Sequence, residues 1–230
     1  IKILPAPVSV IISTLNAESA LPTLLSSLFE GLDAAIIREV IVADGGSRDA
    51  TVDLVEKVGC HVEHCAKGRG GQIRQGISVA KGDWVLILHA DSVLGSGWSE
   101  EFERYLTDPA TAWYFTLKFN SDHPMARLTA GWANRRARLL GLPYGDQGLL
   151  VNRTTLASLG RYVDLPLMED VATVQKLKGR LSPLPIPLTT SATRYEREGW
   201  LRQGAKNIWR LLRYFLGASP SQLAQEYDQP

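Results

Sequence analysis

The sequence predicts an α/β fold with a doubly wound, mostly parallel sheet and helices on both faces. Three observations lead there. Apolar runs alternate with helical patterns through the first half of the chain, in the order β-α-β-α-β-α-β. The fourth run, DWVLILHAD, is continuously apolar through its middle and the first nearly so, as in strands covered on both faces. Polar residues collect at the carboxyl ends of the runs, where open α/β sheets place ligands, near a switch in strand order.

VSVIIST (Val8–Thr14) is β-rich and nearly all of buried type. Leu21, Leu24, Leu25, Leu28 and Leu32 repeat at helical spacing. REVIVAD (Arg38–Asp44) is a second strand. A helix follows over Asp49–Val58, with Asp49 in its first turn and Gly59 as its stop. CHVEHC is a short third strand, Gly71–Ala80 a helix, and DWVLILHAD (Asp83–Asp91) a fourth strand. The second half is less regular. Ala112–Asn120 alternates like a strand, Pro124–Leu140 is a basic helix, and Gln147–Asn152 is a short strand with a helix from Thr154. Glu169–Lys178 is a helix opened by an acidic pair, Ser182–Pro187 reads as an extended connection because of its three prolines, and Gly199–Leu216 is a long amphipathic helix.

The 230 residues are 45% hydrophobic and 21% charged, which excludes disorder as the dominant state. Lys and Arg number 25 against 24 Asp and Glu, so the overall charge names no partner and no nucleic acid is expected. The distribution is uneven: residues 1–120 hold 10 basic against 15 acidic side chains, residues 121–230 hold 15 against 9. Cys60 and Cys65, beside His61 and His64, have the residue types of a zinc cluster, but no second pair completes one. No apolar run approaches the roughly 20 residues that span a bilayer. No signal peptide is visible, nothing demands an oxidising compartment, and a cytoplasmic location is the expectation, with peripheral attachment at the inner face of a membrane as an open alternative.

Generic nucleotide motifs are missing. There is no GxxxxGK[ST], no GxSxG, and the turn after the first strand, TLNAES, has no glycine. KGRGGQIRQG has Ile73 where a dinucleotide fingerprint needs its third glycine. What remains is a set of strand-end acids with arginines and glycines between the third and fourth strands. A strand-end carboxylate can hold a base edge or ribose hydroxyls, or a divalent cation that in turn holds a diphosphate.

The segments VSVIISTLNAES, VIVADGGSRDAT, GRGGQIRQGISVAKGDWVLILHADS and YGDQGLLVNRTTLASLGRYVDLPLMEDVATVQKL, in this order, resemble the family 2 glycosyltransferases of GT-A fold. With the tail SATRYEREGWLRQGAKNIWRLLRYFLGASPSQLAQEY, the chain looks most like the subgroup called "transferase 2, rSAM/selenodomain-associated". The resemblance implies a GT-A domain over 1–190, a C-terminal helical extension over 191–230, and sugar transfer with inversion from a nucleotide diphosphate sugar to an acceptor hydroxyl. Thr14, Asn16 and Glu18 match the nucleoside-binding turn, Asp44 the acid contacting the base, and Gly45 and Gly46 the small residues beside it. Arg69 and Arg74 fall in the segment covering the nucleotide. Asp91 matches the last acid of the D-x-D metal motif, whose first acid is here His89, a further candidate ligand for Mn²⁺ or Mg²⁺. Asp170, in MED, matches the general base, with Glu169 as its neighbour. Within the variable acceptor segment Asn120–Gly148, Asp146 and Gln147 are the acceptor-side candidates, for an acceptor that includes lipid-linked ones. Because an ionised carboxylate only accepts, Asp44 favours a uridine or guanosine donor.

Structural readings compete at each position. Asp44, Ser47 and Asp49 can make a turn and helix cap. Glu169 and Asp170 suit a helix N-terminus. His89 can be a core histidine, and Arg69 and Arg74 solvated surface. Two other functions also compete: a nucleotide-sugar-binding protein without transferase activity, favoured by His89, and a sugar-1-phosphate nucleotidyltransferase, disfavoured by TLNAES. In the last long helix, Arg202, Lys206, Arg210 and Arg213 form a cationic stripe beside Leu201, Ala205, Ile208, Trp209, Leu212, Phe215 and Leu216. That helix either packs its apolar side on the core or lies in a membrane interface.

Overall fold

The structure, a computed structural model, describes residues 6–228. The outermost residues of the expected 1–190 and 191–230 division, 1–5 and 229–230, lie outside the described residues. Four apolar runs form the parallel part of the sheet: β1 (Val8–Thr14), β2 (Ile37–Asp44), β3 (His61–His64) and β4 (Trp84–His89). They are joined by α1 (Leu21–Asp33), α2 (Thr51–Lys57) and α3 (Arg69–Val79). The chain then continues through β5 (Val93–Leu94), α4 (Trp98–Phe102), β6 (Ala112–Phe119), α5 (Pro124–Leu140), β7 (Leu149–Asn152), α6 (Arg153–Ser158), α7 (Glu169–Lys176) and β8 (Leu181–Thr190). It ends in α8 (Thr193–Glu198), α9 (Trp200–Phe215) and α10 (Pro220–Asp228).

The sheet order is β3-β2-β1-β4-β7-β6-β8-β5. From β1 the chain builds outward through β2 and β3, and α3 then carries it back to β4 on the other side of β1. The strand order therefore reverses between β1 and β4, and the crevice at their carboxyl ends is where this architecture places ligands. Beyond β4, β7 runs antiparallel to β4 and β6, and β8 runs parallel to β6.

Side chains alternate across β1 as a strand requires. Val8, Val10 and Ile12 pack with Leu21, Leu24 and Leu28 of α1, while Ile11 packs with Ile73 of α3 on the opposite face. Burying each such leucine or isoleucine contributes about 1.5–3 kcal/mol. Gly70 permits a close approach at the start of α3: a β-carbon there would lie 2.7 Å from the Leu165 backbone nitrogen. That contact sets the first turn of α3 against the segment leading into α7.

One expectation is corrected, and of the two readings of the last long helix the core-packed one falls. Ser182–Pro187 is no mere connection but the middle of β8, paired with β6. Leu184, Ile186 and Leu188 point inward and are buried, so the prolines occupy alternate, outward positions. α9 does not bury its apolar side. It meets the body through Trp200 and Gln203, which are 8% and 2% exposed, while Leu201 and Trp209 are 77% and 59% exposed. Trp200 joins Ala126, Ala192, Phe119 and Tyr195 in a small aromatic cluster that fastens the C-terminal helices to α5 and the end of β6. Cys60 and Cys65 are free thiols, and the described residues hold no group of three or more His, Cys, Asp or Glu arranged around a metal position.

Candidate functional site

At the carboxyl ends of β1 and β4 lies a cleft of about 630 Å³, walled by Thr14 and Asn16, by Lys67 and Arg69, by Asp91, and by Leu167, Glu169 and Tyr227. Its first wall is braced from behind. The backbone nitrogens of Asn16, Ala17 and Glu18 donate to Ser47 Oγ, Thr51 Oγ1 and Asp49 Oδ2 at 2.8, 2.8 and 3.2 Å. In return Asn16 Oδ1 accepts from the Arg48 nitrogen and Glu18 Oε2 from the Ala50 nitrogen, both at 2.8 Å. Glu18 is thus a tie between two loops and does not line the cleft.

Asp44 stands at the centre of that brace. It is 1% exposed and accepts from Thr14 Oγ1, the Gly46 and Ser47 nitrogens and Ser47 Oγ. Burial opposes its ionisation, but the Ser47, Thr14 and Gly46 donors outweigh burial and hold the carboxyl below its ordinary range. Four donors fill the acceptor positions of a carboxylate. In this arrangement Asp44 organises the loop, and a base N–H reaches it only if one of those donors gives way. Gly45 donates its backbone nitrogen to Thr14 O at 2.9 Å. Gln72, buried on α3, bridges the two strand ends by donating to Thr14 O and Ala43 O at 2.8 and 2.7 Å. Sequence reasoning missed Gln72, although a glutamine on the inward side of GRGGQIRQG was its signal.

Across the cleft, Arg69 opens α3 and its Nε lies 3.3 Å from Glu169 Oε1. Burial opposes the charge of Arg69, and Glu169, Asp170 and Asp146 outweigh it, so the guanidinium is held more firmly protonated. Glu169 is 2% exposed. Burial first, and the charge of Asp170 second, push its carboxyl above the ordinary range, with Arg69 pulling the other way. Asp170 is half-buried and differently engaged: Oδ2 accepts from the Gly145 nitrogen at 2.6 Å and Oδ1 from the Val171 nitrogen at 2.7 Å. Met168, just before this pair, has φ of 63°. A side chain there resists the left-handed region, so the turn presenting the two acids is locally strained.

The Gly145–Gln147 turn closes the centre. A β-carbon at Gly145 would collide with His89 Nε2, so only glycine lets the turn rest on the imidazole. His89 Nδ1 lies 3.1 Å from Asp146 Oδ1. Crowding in the cleft opposes ionisation of Asp146, but the His89 hydrogen bond and the charges of His89, Arg69 and Arg136 lower its pKa to about 2.

These contacts bear on three expected roles. His89 Nδ1 pairs with Asp146, while the ring still borders the cleft beside Asp91. Asp91 lines the cleft and meets Thr190 Oγ1 at 3.4 Å. Asp91 is the cleft carboxylate that could hold a divalent cation, Mn²⁺ or Mg²⁺, with His89 next to it on the same wall. Arg74 points away from Arg69, into a separate cavity of about 990 Å³ lined also by Asp83, Arg153 and Tyr162. Gln147 is fully buried, donating to Phe115 O at 3.2 Å, and is a core residue rather than an open acceptor contact.

A smaller recess of about 120 Å³ adjoins Asp170, lined also by Arg69, His89, Tyr144, Asp146, Asn207 and Arg210. Tyr227 of α10 borders both this recess and the larger cleft, with the guanidinium of Arg194 4.0 Å from its ring centre. Helices α9 and α10 therefore complete the site, from positions that no local motif marks.

The fold and this strand-end cleft define a GT-A-like protein. The sequence model of Glycosyl transferase family 2 matches residues 9–161, and the chain belongs to that family. A TPR repeat-containing protein of Synechococcus elongatus is 29% identical over 158 residues, 66% of this chain and 37% of its own length. The dolichyl-phosphate beta-glucosyltransferase of Homo sapiens is 30% identical over 115 residues, 44% of this chain and 36% of its own. The chain thus spans little more than a third of the length of these curated relatives. Among solved structures, S. aureus TarS 1–349 in complex with UDP superposes with a TM-score of 0.62 at 18% identity, covering 96% of this chain and 70% of that one. Longer S. aureus TarS gives 0.63 at 16% identity, covering 94% and 41%. At such identities the likeness shows the fold.

Proposed function

We propose that this protein transfers a sugar, with inversion, from a nucleoside diphosphate sugar to an acceptor hydroxyl. The observation that carries the reading is the pairing of two adjoining spaces that share Arg69: a cleft of nucleotide size walled by Thr14, Asn16 and Lys67, and a smaller recess that holds Asp170. Family membership supports the reaction class, and the relatives named for a glucosyltransferase and for a complex with UDP support a nucleotide-sugar donor, a uridine diphosphate sugar first. The tail, completing the site through Asn207, Arg210 and Tyr227, fits the selenodomain-associated subgroup and a GT-A domain with a helical extension over 191–230.

Each step needs a group that the site supplies. The attacking hydroxyl must lose its proton to a base within hydrogen-bond reach. Asp170 is the better placed carboxylate, because Glu169 is buried and tied to Arg69. Glu169 is then a positioning residue that holds Arg69 toward the diphosphate, where a fixed cation stabilises the charge of the leaving group. Asp91 would hold a divalent cation, which when bound offsets the same charge. The His89–Asp146 pair shapes the acceptor side, and the relative named dolichyl-phosphate beta-glucosyltransferase supports a lipid-linked acceptor as one candidate class.

The test is an assay of a nucleotide-sugar panel, with and without divalent cation, for nucleoside diphosphate release. Release that requires Asp170 supports transfer. Pyrophosphate release from a nucleoside triphosphate and a sugar phosphate would assign a nucleotidyltransferase instead, and nucleotide binding with no turnover a binding protein.

A further inference from the structure

Outside the cleft, one surface stands apart in composition. Of fourteen large hydrophobic side chains exposed among the described residues, ten belong to α5 or to α9 and its cap. On α9 the exposed stripe includes Leu201, Trp209 and Leu212; on α5 it includes Leu128, Trp132 and Leu139. The two stripes meet: Trp132 and Ile208 border the same small recess between the helices. An apolar face of this extent on a monomer marks a contact surface.

The charges on the same two helices are of one sign. Their sequences, PMARLTAGWANRRARLL and WLRQGAKNIWRLLRYF, contain eight Arg and Lys and no Asp or Glu. Lys206 and Arg213 pair with Glu198 and Glu226 of neighbouring elements. Arg127, Arg135, Arg138 and Arg202 are exposed and take part in no ion pair among the described residues. They flank the apolar stripes.

We propose that the α5–α9 face docks on a bilayer whose headgroups are anionic, with the apolar stripes sunk to the headgroup–acyl boundary and the flanking arginines on the lipid phosphates. This goes beyond the proposed transfer and does not depend on it. A helix with a strongly apolar side, tryptophan at its border and a cationic flank has the chemistry of an interfacial helix. No helix of the described residues is long and apolar enough to cross a membrane. A second copy of the chain is the poorer occupant. Face-to-face pairing would bring the arginines of one copy against those of the other, with no carboxylate on either helix to separate them.

The experiment is co-sedimentation of the full chain with phosphatidylcholine vesicles and with vesicles containing phosphatidylglycerol, at low and high salt. Nucleoside diphosphate calorimetry is run in parallel on the wild type and on the double variant Trp209→Glu with Leu212→Glu. The wild type is expected to pellet with the anionic vesicles, more weakly at high salt, and far less with neutral ones. The double variant is expected to stay in the supernatant while binding nucleotide as the wild type does, which shows that it is folded. Wild type that stays in the supernatant with anionic vesicles at low salt overturns the proposal, as does pelleting that the double variant retains. Sedimentation velocity without lipid supplies the other outcome: a dimer dispersed by the two substitutions assigns the face to a second copy and overturns it. A wild type that pellets but binds no nucleotide contradicts the functional reading alone.

Discussion

In α1 the stripe Leu21, Leu24, Leu25 and Leu28 is buried; in α9 the stripe Leu201, Ile208, Trp209 and Leu212, at similar helical spacing, faces outward. What differs is where each helix finds polar partners. The polar side of α1 ties it to the start of α4: Glu30 accepts from the Gly97 and Ser99 nitrogens at 2.8 and 2.7 Å, and Ser27 O accepts from Trp98 Nε1 at 2.9 Å. Those bonds run along the edge of the buried stripe and leave it facing the sheet. In α9 the polar side is the inner one. Asn207 Nδ2 donates to the Tyr195 hydroxyl at 3.0 Å, Gln203 Nε2 donates to Asn207 Oδ1 at 3.1 Å, and Lys206 reaches Glu198 at 2.8 Å. Periodicity shows that a helix has two sides, and the partners of the polar side decide which one turns inward.

That contrast can be broken most directly by matched truncations. Leu28→Ala, in the buried stripe, is expected to destabilise by about 2–5 kcal/mol, the cost of lost burial plus a cavity. Leu212→Ala, on the exposed stripe, is expected to stay within about 0.5 kcal/mol of wild type. Urea unfolding of both variants measures the difference; equal losses would mean that the α9 stripe is packed. Next in size is Gly145→Ala. It should cost about 1–3 kcal/mol by overpacking against His89, read as a lowered melting temperature. Gly204→Ala, on α9 with open space around its would-be β-carbon, should go the other way and stabilise by about 0.5–1 kcal/mol.

The smallest effect is electrostatic. The Asp146 pKa is lowered in the folded protein to about 2, against about 3.9 in an unfolded chain. Its contribution is therefore fully present above the unfolded value and is lost as pH falls from about 4 through about 2. Asp146→Asn should flatten the stability–pH curve in that window and leave its shape near neutrality unchanged. An unaltered acid limb would show that the His89–Asp146 pair adds nothing.

The parallel half of the fold was legible because β1, β2 and β4 each hold a short continuous apolar run, at 10–12, 40–43 and 84–88, of the kind found in a doubly covered strand. β8 was obscured by Pro183, Pro185 and Pro187. Their spacing of two was itself the strand signal, since it leaves Leu184, Ile186 and Leu188 on one face. In the site, Thr14, Asn16, Arg69, Asp91, Glu169 and Asp170 come together because each stands at a strand end or a helix start. Arg74 does not join them: five residues past Arg69 on α3, it lies about 140° around the helix. Asn207, Arg210 and Tyr227 were illegible as site residues, since tertiary packing alone returns α9 and α10 to the crevice. The inner commitment of Asp44 was equally hidden, because the type of a polar residue does not reveal how many donors its neighbours will supply.

The division of labour between adjacent carboxylates, with Asp170 as base and Glu169 as the anchor of Arg69, is the centre of the account. It is tested by turnover and donor binding in Asp170→Asn and Glu169→Gln, with nucleoside diphosphate release and calorimetry on the same preparations. The account predicts that Asp170→Asn loses about 10²–10⁴-fold in turnover while binding donor nearly as the wild type does. Glu169→Gln is predicted to weaken donor binding, through the loosened Arg69, more than it slows the bound complex. Near-normal turnover in Asp170→Asn, with turnover lost in Glu169→Gln at unchanged donor affinity, would contradict it.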